Sequence, residues 1–370
     1  MAKSFLMGNE AFAHAALEAG VRVCAGYPGT PSSEVIETIA KAHENGSAEG
    51  VYVEWSTNEK AALELLAGAA YSGARTLYTC KQVGLNVASD ALMSLNYVGV
   101  EGGTVLFVAD DPGPISSQTE QDTRRFASFA KVPVFDPATP EQGCAMMKAA
   151  YDLSEKYRTP VIMRPTTRIC HASTFFDIAE HTTAHSVKGF EKDSKWVIFP
   201  PRAYQGHGEI NERLVRIAEE FATTDFNPCE QVGAAPVYGI VAGGISFAYA
   251  QEALRQLTAD AQAAGVAMPS YRLQQIGTPY PFPESVATSF VKGIEKVIVF
   301  EELDYVLEDE MLKLAGKNHA SYEVFGKQSG HTTNRGENTV NAVYEQLKTF
   351  FGLELSLIHI SEPTRQAEIS

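Results

Sequence analysis

Val51-Tyr-Val-Glu-Trp55, Ser56-Thr-Asn58 and Glu59-Lys-Ala-Ala-Leu-Glu-Leu-Leu-Ala-Gly-Ala-Ala70 follow one another without a break. They read as a short strand, a polar turn and a helix rich in Ala and Leu. Ser56, Thr57 or Asn58 can cap that helix, which puts Glu59 in its first turn. A carboxylate there is favoured by the helix dipole whatever else it does. The helix also reads as small or core-facing nearly all round, through Ala61, Leu65, Leu66, Ala69 and Ala70. A carboxyl at the tip of a buried helix is expected to be desolvated, with a proton to exchange. Glu59 is therefore the first candidate for a chemical role.

The same alternation runs outward in both directions. Residues 9–20 read as an amphipathic helix and 21–25 as a buried strand. Gly26-Tyr-Pro-Gly-Thr-Pro-Ser-Ser-Glu34 is a stiff loop leading into a helix that Ser32 or Ser33 can cap. Such a loop serves as a rigid turn. At the carboxyl end of a strand, beside a helix N-terminus, it is also a place to hold a ligand. Downstream, strands are expected at 75–80, 103–109, 132–136 and 159–164, with helices at 85–95, 121–130 and 139–157 between them. Near-continuous apolar strands alternating with helices imply a doubly wound α/β fold around a parallel sheet, over residues 1–170.

Residues 171–230 turn polar, with Pro200-Pro201 and a helix expected only over 209–221, and read as a linker crossing the surface of the first domain. A second, smaller α/β domain is expected over 231–355, opening with a strand and its glycine turn at 237–244, with further strands at 270–276, 296–301 and 322–325. Its glycine turn, Val241-Ala-Gly-Gly-Ile-Ser-Phe247, lacks dinucleotide-fingerprint spacing. Ser356 to Ser370 break the pattern and look like a translated sequencing adapter, so they are set aside as an artefactual tail.

Composition narrows the function. The 370 residues carry a net charge of −15, which argues against nucleic acid or an anionic membrane surface as partner. No window is apolar enough to span a bilayer, and the N-terminus lacks a secretory core. The five cysteines are scattered, suit a reducing cytoplasm and show no metal-ligand spacing. Asp110 and Asp111, in a Pro/Gly loop, read as turn formers rather than metal ligands. No metal-binding residue is expected here.

Four motifs occur in one order: Gly26-Tyr-Pro-Gly-Thr-Pro-Ser-Ser-Glu34, Glu54-Trp-x-x-Asn-Glu59, Lys81-Gln-Val-Gly-Leu-Asn86 and Ser117-Gln-x-Glu-Gln-Asp-x-Arg124. Together they resemble the pyrimidine-binding domain of the thiamine-diphosphate-dependent 2-oxoacid:ferredoxin oxidoreductases. Residues 231–355 resemble the transketolase-C-like domain that follows it. By this resemblance Glu59 acts on the cofactor, where a carboxyl on the pyrimidine nitrogen favours the tautomer that deprotonates the thiazolium carbon. The resemblance implies decarboxylation of an aryl 2-oxoacid such as indolepyruvate, single-electron transfer through iron–sulfur clusters to ferredoxin, and capture of the acyl group by coenzyme A. Pyruvate and branched-chain 2-oxoacids are alternative substrates, and a non-catalytic thiamine-fold scaffold is an alternative role.

By the same resemblance Thr30 approaches the substrate, and Arg124 (or Arg125) pairs with its carboxylate. Tyr27, Pro28, Gly29, Lys81, Gln82, Gly84 and Asn86 join Glu59 in lining the cofactor pocket. A small beta subunit and a hetero-oligomer are implied. The diphosphate and its Mg2+ belong, in that family, to a domain with a Gly-Asp-Gly motif, and the [4Fe-4S] clusters to cysteine runs. Neither occurs in this sequence, so a fragment that is inactive alone is expected.

Overall fold

The computed structural model describes residues 2–355; the expected artefactual tail lies outside them. The chain opens with strand β1 (Ala2–Met7) and helix α1 (Gly8–Glu18). Then follow β2 (Val23–Gly26), α2 (Ser33–Glu44), β3 (Ala48–Glu49), β4 (Tyr52–Trp55), α3 (Glu59–Tyr71), β5 (Thr76–Lys81) and α4 (Gln82–Val98). The first half closes with β6 (Thr104–Ala109), α5 (Thr123–Ala130), β7 (Val134–Phe135), α6 (Pro140–Tyr157) and β8 (Val161–Met163). Six of these strands form one parallel sheet in the order β4-β2-β5-β6-β8-β7.

Both faces of this sheet are covered, which is why its strands read as apolar runs. Leu77, Val105, Phe107, Val161 and Met163 point toward α1, α2 and α6. Tyr78, Cys80, Leu106, Val108 and Ile162, one residue out of phase, point toward α3 and α4. That is the period-2 alternation of a strand buried on two sides. The order reverses at β2: the chain steps outward from β2 to β4, then returns to place β5 on the other flank of β2. The loops leaving β2 and β5 therefore diverge over opposite faces. A crevice at the carboxyl ends of β2 and β5 is the expected ligand position in such a sheet.

Residues 171–230 are more than a surface linker. After α7 (Thr167–His171), β9 (Ser173–Ile178) pairs antiparallel with β1, and β10 (Thr182–Thr183) pairs with β3. Helix α8 (Pro200–Phe221) begins nine residues before the expected start at 209, with prolines in its first turn. Its Ile217 and Phe221 enter the first core, where Phe221 packs edge-on against Phe135 at 5.3 Å.

The second sheet also starts earlier than expected, at β11 (Cys229–Val232), an antiparallel edge beside β13. Its order is β11-β13-β12-β14-β15, from β12 (Tyr238–Ala242), β13 (Tyr271–Gln275), β14 (Lys296–Phe300) and β15 (Glu323–Phe325). Helices α9 (Ile245–Ala263) and α12 (Val340–Phe350) border one core of this sheet, and α10 (Glu284–Phe290) and α11 (Val306–Lys317) the other. No described helix is long and apolar enough to cross a membrane.

Candidate active site at the strand-order reversal

Glu59 opens α3 directly above the crevice. Of the three possible caps, Asn58 is the one used: its Oδ1 accepts the Ala61 N–H at 2.9 Å. The helix is buried through Ala62, Leu63, Leu66 and Ala70, while Glu64 and Gly68 are exposed. It is thus less enclosed than its composition implies, and Glu59 is half-buried rather than buried.

The Glu59 carboxyl has a seat. A Cβ at Gly84, in the first turn of α4, would stand 2.6 Å from Glu59 Oε1 and 2.8 Å from its Cγ. Any larger residue at 84 would fill the space the carboxyl occupies. Beneath it lie Tyr78 and Cys80, both fully enclosed on the same strand face. Burial raises their pKa values, Cys80's to a level where the thiol stays protonated; the Glu59 charge adds a smaller push.

The loop after β2 forms the opposite wall. Ser32 stands at the cap position of α2, but its hydroxyl turns back and donates to Gly29 O at 2.7 Å. Ser33 Oγ accepts the Gly29 N–H at 2.9 Å. The two serines brace the loop rather than cap the helix, leaving Tyr27, Pro28 and Thr30 exposed at its crest. Lys81 lies along this loop, and a Cβ on Gly29 would touch its Cγ at 3.2 Å.

The loop after β6 closes the third side. Ser116 Oγ donates to Thr30 O at 3.1 Å, and Lys81 Nζ donates to Ser116 O at 3.4 Å. Gln82 Nε2 donates to Thr119 O, and Asn86 Nδ2 to Gln121 Oε1. Gln82 is buried and its Oε1 has no protein partner. Exposed Tyr27, Trp55, Val87 and Ile115 stand on the elements that carry these residues. Ser116 was missed in the sequence, where nothing separates it from its neighbour Ser117.

Arg124 departs from expectation. Its side chain is fully enclosed, and its guanidinium is consumed by the protein. Nη2 meets Asp122 Oδ2 at 2.6 Å and Glu302 O at 2.7 Å, and Nη1 meets Glu301 Oε2 at 2.9 Å. Arg125 is tied to Asp309 at 2.7 Å and lies over the Tyr305 ring. Arg124 is closed off from any substrate, whereas Arg125 is neutralised by Asp304 and Asp309 but partly exposed. The motif that ends in Arg124 instead joins the two sheets: Asp122 caps α5, and Glu120 accepts N–H groups from Gly113 and Gly336.

Asp110 and Asp111 are likewise structural. Asp110 pairs with Arg164 at 2.6 Å, and Asp111 accepts from Thr167 Oγ1 and Ser116 N. Burial pushes Asp110 up to about 6 and Glu302, on the far side of the junction, up to about 7. For Asp122, burial is outweighed by the charges of Arg124 and Arg164, and its carboxyl is held down at about 2. This buried cluster, which includes Asp136, Arg164, Glu301 and Glu302, was not legible in the sequence. Among the described residues, no group of three or more His, Cys, Asp or Glu side chains is placed to hold a metal ion.

The fit to the pyrimidine end of thiamine diphosphate can be read from these atoms. A carboxyl faces the crevice from a helix tip, a glycine leaves room for it, and an orphaned amide oxygen lies on the next helix. Comparison with known proteins agrees. The family described as "Pyruvate flavodoxin/ferredoxin oxidoreductase, thiamine diP-bdg" matches residues 14–222. The indolepyruvate oxidoreductase subunit IorA of Thermococcus kodakarensis is 40% identical over 94% of this chain and 53% of its own length. The IorA subunit of Methanothermobacter marburgensis is also 40% identical, over 88% of this chain and 51% of its own. This chain thus spans about half the length of these curated relatives.

Among solved structures, a 2-oxoglutarate:ferredoxin oxidoreductase from Magnetococcus marinus superposes with a TM-score of 0.70 at 16% identity, covering 94% of this chain and 65% of its own. A split-gene transketolase gives a TM-score of 0.57 at 16% identity, covering 94% and 99%. Both show the fold alone. With the family match and the identity to the IorA subunits, the chain belongs to the thiamine-diphosphate-dependent 2-oxoacid:ferredoxin oxidoreductases.

Proposed function

We propose that this chain supplies the pyrimidine half of a thiamine diphosphate site in an oxidoreductase that converts an aryl 2-oxoacid, indolepyruvate, to its acyl-CoA and reduces ferredoxin. The observation that carries the reading is the Glu59 carboxyl, held at the tip of α3 and seated on Gly84 at the crevice. The names of the IorA relatives support the substrate. When bound, the cofactor supplies a carbon nucleophile for the keto group and an electron sink after loss of carbon dioxide. This chain's part is to hold and move one proton. Glu59 meets a pyrimidine nitrogen with its carboxyl, Gln82 Oε1 accepts a ring donor, and the braced Gly29–Thr30 crest shields the reacting side from water. The diphosphate, its Mg2+ and the [4Fe-4S] clusters are assigned to the rest of a cytoplasmic hetero-oligomer with a small beta subunit, coenzyme A and ferredoxin as its further partners.

The test uses the complete oxidoreductase and Glu59→Gln, with hydrogen–deuterium exchange at the thiazolium C2 followed by quenched NMR. Exchange is expected to slow by about a hundredfold or more, the range for loss of a positioned acid–base group. Unchanged exchange would overturn the reading and leave a scaffold role.

A further inference from the structure

The expected carboxylate partner, Arg124, is locked into the junction between the sheets, and the charge of Arg125 is already met by Asp304 and Asp309. A 2-oxoacid is an anion, and the chain's net charge of −15 repels it at long range. Some local cation must offset that repulsion at the crevice. The cations in the loops and first helical turns that build the crevice are Lys60, Lys81, Arg124 and Arg125. Lys60 is paired with Asp90 at 2.9 Å. Among the described residues, Lys81 alone of the four has no carboxylate within ion-pair distance.

We propose that Lys81 binds the carboxylate of the 2-oxoacid. This rests on the reading of the crevice as a thiamine-type site and names the residue that orients its substrate. The stem of Lys81 lies along Gly29, where a Cβ would stand 3.2, 3.4 and 3.7 Å from its Cγ, Cδ and Cε. Its ammonium lies where three loops converge: the crest ending in Thr30, the end of β5, and the Ser116 turn bonded to Thr30 O. The only hydrogen bond of Lys81 Nζ among the described residues is the 3.4 Å contact to Ser116 O. That is long for an N–H···O bond, and an ammonium has three donors to fill. Lys81 also stands at the cap of α4, a 17-residue helix whose N-terminal dipole adds positive potential at the same place.

The chemistry favours a lysine over an arginine. The carboxylate must lose its charge as carbon dioxide leaves, so a partner that grips it tightly opposes the step. A rotatable point charge binds the substrate without the bidentate lock of a guanidinium. The pair therefore acts mainly on substrate binding.

The experiment is steady-state kinetics of the complete oxidoreductase with indolepyruvate, and competitive inhibition by its uncharged methyl ester, which cannot lose carbon dioxide, for the wild type, Lys81→Met, Lys81→Gln and Lys81→Arg. Thiamine diphosphate and thiamine affinities are measured in parallel from intrinsic fluorescence. Lys81→Met and Lys81→Gln are expected to raise KM for the acid by about tenfold or more, the usual loss for a hydrogen bond to a charged group, and to leave the inhibition constant of the ester unchanged. Lys81→Arg recovers KM but not kcat, and cofactor affinity does not change. An unchanged KM in both neutral variants overturns the assignment while leaving the thiamine-site reading standing. A loss of thiamine diphosphate affinity with thiamine affinity intact also overturns it, since the ammonium would then serve the diphosphate. A wild-type enzyme that decarboxylates no 2-oxoacid removes both readings together.

Discussion

Arg124 Nη1 and Glu301 Oε2 meet at 2.9 Å across 177 residues of sequence, both fully enclosed. Glu301 in turn accepts the Leu307 and Glu308 N–H groups at the start of α11, and Arg124 reaches back to the Asp122 cap of α5. One guanidinium thus ties helix starts from both sheets. Removing it leaves Asp122 and Glu301 as buried, unpaired carboxylates. Arg124→Ala is expected to destabilise the chain by about 3–5 kcal/mol, the range for breaking a buried ion pair from one side. Urea denaturation measures it, and a double-mutant cycle with Glu301→Gln should show strong coupling. A loss under about 1 kcal/mol, far below that range, would mean the guanidinium is dispensable to the junction.

That junction marks the limit of what the sequence discloses. The strands of the first sheet were legible because both faces are buried, which leaves unbroken apolar runs such as Thr104–Ala109. The partners of Arg124 were not, since they lie in another sheet and nothing local to Asp122-Thr-Arg124 announces them. The sequence pattern there fits a solvated helix or a substrate clamp equally well. Strands β1 and β9 escaped notice for a related reason: their pairing spans most of the first unit and leaves Phe5 and Phe175 exposed on one face. The start of α8 was hidden by Pro200-Pro201. Prolines punctuate loops, but in the first turn of a helix they cost no hydrogen bond. Glu59, by contrast, was legible as a helix-tip acid, while its seat on Gly84 needed coordinates.

Phe221 tests whether α8 belongs to the first core. It is fully buried against Phe135, so Phe221→Ala is expected to cost about 3–5 kcal/mol, as for other large-to-small changes in a core. A helix merely lying on the surface would lose far less. Thermal unfolding of the variant decides between them.

Glu302 gives the junction a pH dependence. Burial pushes its carboxyl up to about 7; one oxygen accepts only the Asn338 N–H, and the other has no protein partner. A carboxyl raised in the folded state contributes stability that is full below its unfolded value and is lost as pH rises through the folded one. The window therefore runs from about pH 4 to about pH 7, and the loss across it is on the order of 3 kcal/mol. His14, held below the usual histidine value by burial, acts in the opposite sense over part of that range. The clean measurement is thus a difference: wild type minus Glu302→Gln, from urea melts between about pH 5 and about pH 8.5, which spans the folded value. The wild type should lose stability relative to the neutral variant as pH rises. A constant difference would mean that Glu302 is ionised throughout.

Gly84→Ala separates the chemical role of the crevice from its structural one. Residue 84 lies in the first turn of α4, where Ala is the better helix former by up to about 1 kcal/mol. The three atoms nearest the added methyl all belong to the Glu59 side chain, at 2.6 Å for Oε1, 2.8 Å for Cγ and 3.0 Å for Cδ. Glu59 stands at a helix tip with its open side toward the crevice, so it can swing away at little cost. The fold should therefore keep its stability or gain slightly, while the carboxyl leaves the position from which it would meet a pyrimidine nitrogen. In the complete oxidoreductase, Gly84→Ala should lose about as much C2 exchange as Glu59→Gln, and combining the two should add little. Retained exchange in Gly84→Ala would mean that the seat of Glu59 is not the position from which it acts.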